Sequence, residues 1–127
     1  MSTRSTIKFY SEFDQDEVLV SVYQQFDGYI DGVGYELAKW LSKKNIINGI
    51  SYQTMADGYA NGMGCLAAQF IKEFKTKIGN FYIGTIDNEE EYNYQVRLID
   101  KEIVITVNDI FKGTPSELLL LNELNQG

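Results

Sequence analysis

The stretch Met63–Gly79, MGCLAAQFIKEFKTKIG, decides the fold. Met63, Leu66, Ala67, Phe70, Ile71, Phe74 and Ile78 recur at the three- and four-residue steps that align side chains along one helix face. Lys72, Glu73, Lys75 and Lys77 take the opposite side, and Gly79 supplies a stop. A stripe this apolar has to be covered, and the neighbouring sequence offers a sheet to cover it. In the segment that follows, Tyr92, Tyr94, Val96 and Leu98 alternate with Asn93, Gln95 and Arg97, the period of a strand with one buried and one wetter face. Strands are expected at Asn80–Ile86, Glu91–Ile99 and Glu102–Val107, with Asp100-Lys101 as a tight turn. Upstream, Ser5–Ser11 and Val18–Gln25 read as two more, joined by the polar link Glu12–Glu17.

Two further helices complete the outline. One of about ten residues opens from the glycine-rich segment Asp27–Gly34 and ends near Lys44, with Val33, Leu37, Trp40 and Leu41 on one face. The other is announced by Thr114, Pro115 and Glu117, an N-cap, a first-turn proline and the return partner of a capping box. It carries Leu118, Leu119, Leu120, Leu121 and Leu124, more leucine than one face absorbs, so a homo-oligomer through this C-terminal helix is expected. The order ββααβββα predicts one α+β domain over residues 1–127. Its sheet is antiparallel, of about five strands, with two or three helices on one face.

Composition narrows the chemistry. The chain has 127 residues, one cysteine (Cys65) and no histidine. An internal disulfide, histidine-built zinc sites, imidazole acid–base catalysis and Ser-His-Asp or Cys-His nucleophiles all need residues it lacks. No catalytic residue, metal or cofactor is expected, and the chain reads as a binding protein rather than an enzyme. The net charge of −7, from 18 acidic against 11 basic residues, argues against direct binding of nucleic acid and suits a protein partner with a basic face. The longest apolar run, Leu118–Leu121, is far below the ~20 residues that span a bilayer, and no signal-peptide core opens the chain. A cytoplasmic protein without membrane contact is the expectation.

The best candidate site is a duplication. Phe26-Asp27-Gly28-Tyr29-Ile30-Asp31-Gly32-Val33-Gly34 returns thirty residues later as Ala56-Asp57-Gly58-Tyr59-Ala60-Asn61-Gly62-Met63-Gly64. Each copy is a D-G-Y-x-[DN]-G-x-G loop feeding a helix. Three readings stand side by side. In one, Asp or Asn caps the helix and the glycines allow positive φ or close packing. In the second, successive glycines free backbone N–H groups for phosphate at a helix start, Tyr29 and Tyr59 stack on a base or ribose, and Arg4 adds a charged contact. In the third, Asp27, Asp31 and Gly32 begin a calcium loop, but Tyr29 and Ala38 stand where oxygen ligands belong. The candidate ligand-binding set is therefore Arg4, Asp27, Gly28, Tyr29, Gly32, Gly34, Asp57, Gly58, Tyr59, Gly62 and Gly64.

Thr3-Arg4-Ser5-Thr6-Ile7, followed by Phe26-Asp27-Gly28-Tyr29 and by Gly32-Val33-Gly34 with Leu37, resembles a family of small phage and prophage proteins. These begin TRS and carry a strand ending in D-G-Y-x-x-G-V-G or close variants. The resemblance covers roughly the first 45 residues, and Gln25 and Phe26 stand where relatives often show a histidine. It implies a phage origin and action in the cytoplasm of the infected host. A small, acidic, catalytically bare phage protein is expected to counter host defence by binding and sequestering a small nucleotide-derived immune signal at the duplicated loops. The alternative is an acidic inhibitor of a host defence complex, anti-CRISPR-like or a nucleic-acid mimic, acting through Asp14, Asp16 and Glu89–Glu91.

Overall fold

A computed structural model describes residues 3–54 and 58–126, the last two by backbone alone. Its main sheet has six strands in the order β5-β2-β1-β6-β7-β8. These are β1 (Ser5–Tyr10), β2 (Val18–Gln24), β5 (Phe81–Gly84), β6 (Tyr92–Ile99), β7 (Glu102–Val107) and β8 (Phe111–Gly113). A small second sheet pairs β3 (Asn45–Ile47) with β4 (Tyr59–Asn61) in parallel. The helices are α1 (Tyr35–Leu41), α2 (Gly62–Phe74) and α3 (Pro115–Gln126). No helix among the described residues is long and apolar enough to cross a membrane.

The five expected strands are present, but the sheet is mixed rather than antiparallel. Strand β5 takes the free edge of β2. That leaves β6 the free edge of β1, where it pairs in parallel from Ser5↔Tyr92 to Phe9↔Val96. The strands that the sequence did not announce, β3, β4 and β8, have three residues each, too few to display an alternation.

Alternation sorts the two faces as expected. Ile7, Phe9, Val22, Tyr94, Val96, Ile103, Ile105 and Val107 point to the helices and join Leu37, Leu41, Met63, Leu66, Phe70 and Leu118 in the core. At ~25 cal/mol per Å² of apolar surface, each of these large side chains contributes about 1.5–3 kcal/mol when buried. Helix α2 ends sooner than its pattern runs. Lys75 (φ −86, ψ 86) has left helical space, so Ile78 stands fully exposed instead of extending the stripe. Helix α3 starts as predicted: Thr114 N–H donates to Glu117 Oε1 at 2.8 Å and Glu117 N–H to Thr114 Oγ1 at 3.2 Å.

Candidate functional site

The two copies of the loop adopt different structures. In the first, the Gly28 N–H donates to Thr3 O (2.9 Å), and a Cβ on Gly28 would stand 2.8–3.0 Å from Thr3, Arg4 and Ser5. Only glycine lets the loop lie this close to the start of β1. The buried Tyr94 hydroxyl donates to the Gly28 carbonyl at 2.8 Å, and its ring packs beneath Gly34. Gln25 N–H and Phe26 N–H are taken by Asn80, which ties the loop to the α2–β5 junction. Residues Ile30–Gly34 then form a wide irregular turn, and regular helix starts only at Tyr35.

The second copy makes strand β4 and opens α2 directly. Its Asp57 lies outside the described residues. Gly62 has φ +85, a left-handed conformation that a side chain would strain, and a Cβ there would strike the Glu12 carboxylate. Glu12 Oε2 accepts the Met63 N–H at 3.2 Å, so the chain's own carboxylate occupies the start of α2. Asn61 does not cap this helix. Its Oδ1 accepts the Gly49 N–H (2.8 Å) across the β3–β4 loop.

The loops do not meet within one chain. The first packs on Thr3–Ser5 and faces the C-terminal end of α2, whereas the second begins α2 beside Glu12. Thirteen residues rising about 1.5 Å each put the Gly62 end of α2 roughly 20 Å from the end that the first loop faces. Gly62 and Gly64 are therefore remote from Asp27, Gly28, Tyr29, Gly32 and Gly34, whereas Gly58 packs on the Lys43 carbonyl and Tyr59 O accepts from Gln69 Nε2 midway along α2. Arg4 contacts the first loop through its backbone, and its side chain is exposed.

What the first loop does line is a cleft of about 660 Å³. Asp27, Tyr29, Asp31 and Gly32 form one wall, Glu36, Lys39, Trp40 and Lys43 of α1 and its extension another, and Glu73, Phe74 and Phe81 the far side. Trp40, Phe74 and Phe81 make an edge-to-face chain with centroids 5.7 and 6.0 Å apart. Four carboxylates face two lysines. The Tyr29 hydroxyl donates to Asp27 Oδ1 at 3.3 Å, and the Asp27 charge, with Asp31 behind it, holds the Tyr29 phenol above its ordinary pKa. Sequence reasoning missed Glu36, Lys39, Trp40, Lys43, Glu73, Phe74 and Phe81. Trp40 and Phe74 had been read as core, and each is only half-buried.

The glycine N–H groups that the sequence offered to a phosphate in the first loop are already used within the chain. Gly28, Gly32, Val33 and Gly34 N–H groups donate to Thr3, Tyr29, Asp27 and Tyr29 carbonyls at 2.9, 2.9, 2.9 and 3.3 Å. Lys39 and Lys43 are the cations among the cleft's lining residues. The two acidic loops also diverge. Asp14, Asp16 and Glu17 follow the end of β1, while Glu90 and Glu91 precede β6, which starts level with Ser5. Cys65 is half-buried on α2. No group of three or more His, Cys, Asp or Glu side chains among the described residues converges as a metal site requires. The chain matches no family model, and comparison with curated proteins and with solved structures finds no match, so the functional reading rests on its own geometry.

Proposed function

We propose that this chain is a phage-encoded, non-enzymatic binding protein that counters host defence by sequestering a small nucleotide-derived signal in the first-loop cleft. The observation that carries the reading is the cleft's combination of size, aromatic wall and sorted polar groups. About 660 Å³ lies within the range of pockets that enclose a small organic ligand. Tyr29 and Trp40 offer faces for a base, the carboxylates of Asp27 and Asp31 can accept hydrogen bonds from ribose hydroxyls, and Lys39 and Lys43 supply positive charge for phosphate.

This assignment changes which residues bind. Asp27, Tyr29 and Gly32 remain in the site, joined by Lys39, Trp40 and Lys43. Gly28 and Gly34 shape the loop from behind, and the second copy belongs to the scaffold of α2. A homo-oligomer through α3 stays part of the proposal, supported by Leu120 and Leu124, which stand 55% and 69% exposed. The alternative acidic inhibitor has less support, because its two carboxylate clusters lie toward opposite ends of β1.

The test is a melting series with cyclic and ADP-ribose-type nucleotides, followed by recovery of the ligand after denaturation. A ligand at a hundredfold its Kd adds about 2.7 kcal/mol, several degrees in a domain of this size. A shift with ligand recovered unchanged, and lost in Lys39→Gln/Lys43→Gln, is the expected result. Ligand recovered as a cleaved product would show an enzyme instead, and no shift across the series would remove the nucleotide from the proposal.

A further inference from the structure

The face of the sheet turned away from the helices carries a cation without a counter-charge. Lys8 stands there between Ser21 and Gln95 on the neighbouring strands, only 6% exposed. Among the described residues no carboxylate lies within 4.0 Å of its ammonium group. The neighbouring strands cover its aliphatic stem, while Nζ is not among the sealed atoms. Beside it, the Ser21 hydroxyl is buried with no hydrogen-bond partner.

Arg97 lies on the same face, one alternation beyond Gln95. Its guanidinium rests 3.7 Å over the Tyr10 ring, Nε donates to Gln15 O at 2.9 Å and Nη1 to Gln95 Oε1 at 2.8 Å. These contacts fix the plane of the fork and leave the Nη2 hydrogens undonated. Strand spacing of ~4.8 Å and a two-residue advance of ~6.6 Å put the Lys8 and Arg97 backbones about 8 Å apart, within reach of one oxyanion held between the two head groups. Acidic residues border the face, at Asp14, Asp16 and Glu17 beside Gln15 and at Glu90, whose N–H meets Asn93 Oδ1, yet neither cation pairs with one.

We infer that Lys8 and Arg97 form a second binding site, for the phosphate group of a small ligand or for free phosphate, on the sheet face opposite the cleft. Phosphate brings charge-assisted acceptors to an ammonium and a guanidinium carried on adjacent strands of one sheet face.

The probe is inorganic phosphate, added at constant ionic strength against chloride while melting is followed, with a nucleoside monophosphate as the second arm. The wild type is expected to gain several degrees in a saturable way, and Lys8→Met and Arg97→Gln each to lose that gain. Lys8→Met, which keeps the aliphatic stem and removes the lone cation, should melt at or above the wild type without phosphate, so misfolding cannot mimic the result. Equal shifts in the two arms mean a free anion occupies the site. A larger monophosphate shift that Lys8→Met abolishes and Lys39→Gln/Lys43→Gln spares means a phosphate ester does. No shift beyond chloride, a shift that survives both Lys8→Met and Arg97→Gln, or one lost only with Lys39 and Lys43 overturns the inference.

Discussion

Tyr94 links the core to the site. Its ring is fully buried, its hydroxyl holds the Gly28 carbonyl, and burial pushes the phenol well above its ordinary pKa. Tyr94→Phe leaves that carbonyl without its partner and should cost about 1–3 kcal/mol, read as a fall in denaturation midpoint. The pH dependence follows from the direction of the shift. The unfolded chain releases the Tyr94 proton near pH 10 and the folded chain keeps it, so the native state then binds more protons and stability falls as pH rises. The loss should approach about 1.4 kcal/mol per pH unit above pH ~10, and Tyr94→Phe should remove that component. Equal alkaline slopes for the two proteins would contradict this account. Gly28 shows how a sequence motif misleads about a residue's job. A bulky substitution there meets the backbone of Thr3 and Arg4, so it tests the fold rather than the ligand.

Helix α2 was readable because six apolar residues within it repeat at helical spacing, and the strands were readable where alternation ran for four residues or more. Glu12 as the partner of the α2 N-terminus was not, since it lies 51 positions away in a link that looks merely polar. Glu12→Ala should therefore destabilise the chain by about 0.5–2 kcal/mol although it removes no apolar core side chain, and chemical denaturation would measure it. For α3 the five leucines divide as their number required. Leu118 is buried, Leu119 and Leu121 are half-buried, and Leu120 and Leu124 face outward one turn apart. Leu120→Ser/Leu124→Ser should lower the sedimenting mass while leaving the melting of the monomer nearly unchanged. An unaltered mass would remove α3 from any subunit contact.

At the scale of the molecule, the duplication was legible and its meaning was not. Identical D-G-Y-x-x-G-x-G spacing suggested two equivalent half-sites, yet one copy packs against β1 and the other is half strand and half helix. The difference comes from what each meets: Thr3 and Tyr94 for the first copy, Glu12 and Asn45 for the second. Local sequence carries loop chemistry but not the partner that uses up its hydrogen bonds. Charge behaves the same way. A net −7 says nothing of where positive groups collect, and the fold places Lys39 and Lys43 at the cleft and Lys8 and Arg97 on the opposite face of the sheet.

Trp40 is the chain's single tryptophan and it lines the cleft, so its fluorescence reports the proposed site without a label. The most direct measurement is a titration of the wild-type protein with a nucleotide that raises its melting temperature. The account predicts a saturable change in Trp40 emission whose midpoint matches the calorimetric Kd, weakened at least tenfold, about 1.4 kcal/mol, in Lys39→Gln/Lys43→Gln. Calorimetric binding with Trp40 emission unchanged would place the ligand elsewhere and contradict the central claim.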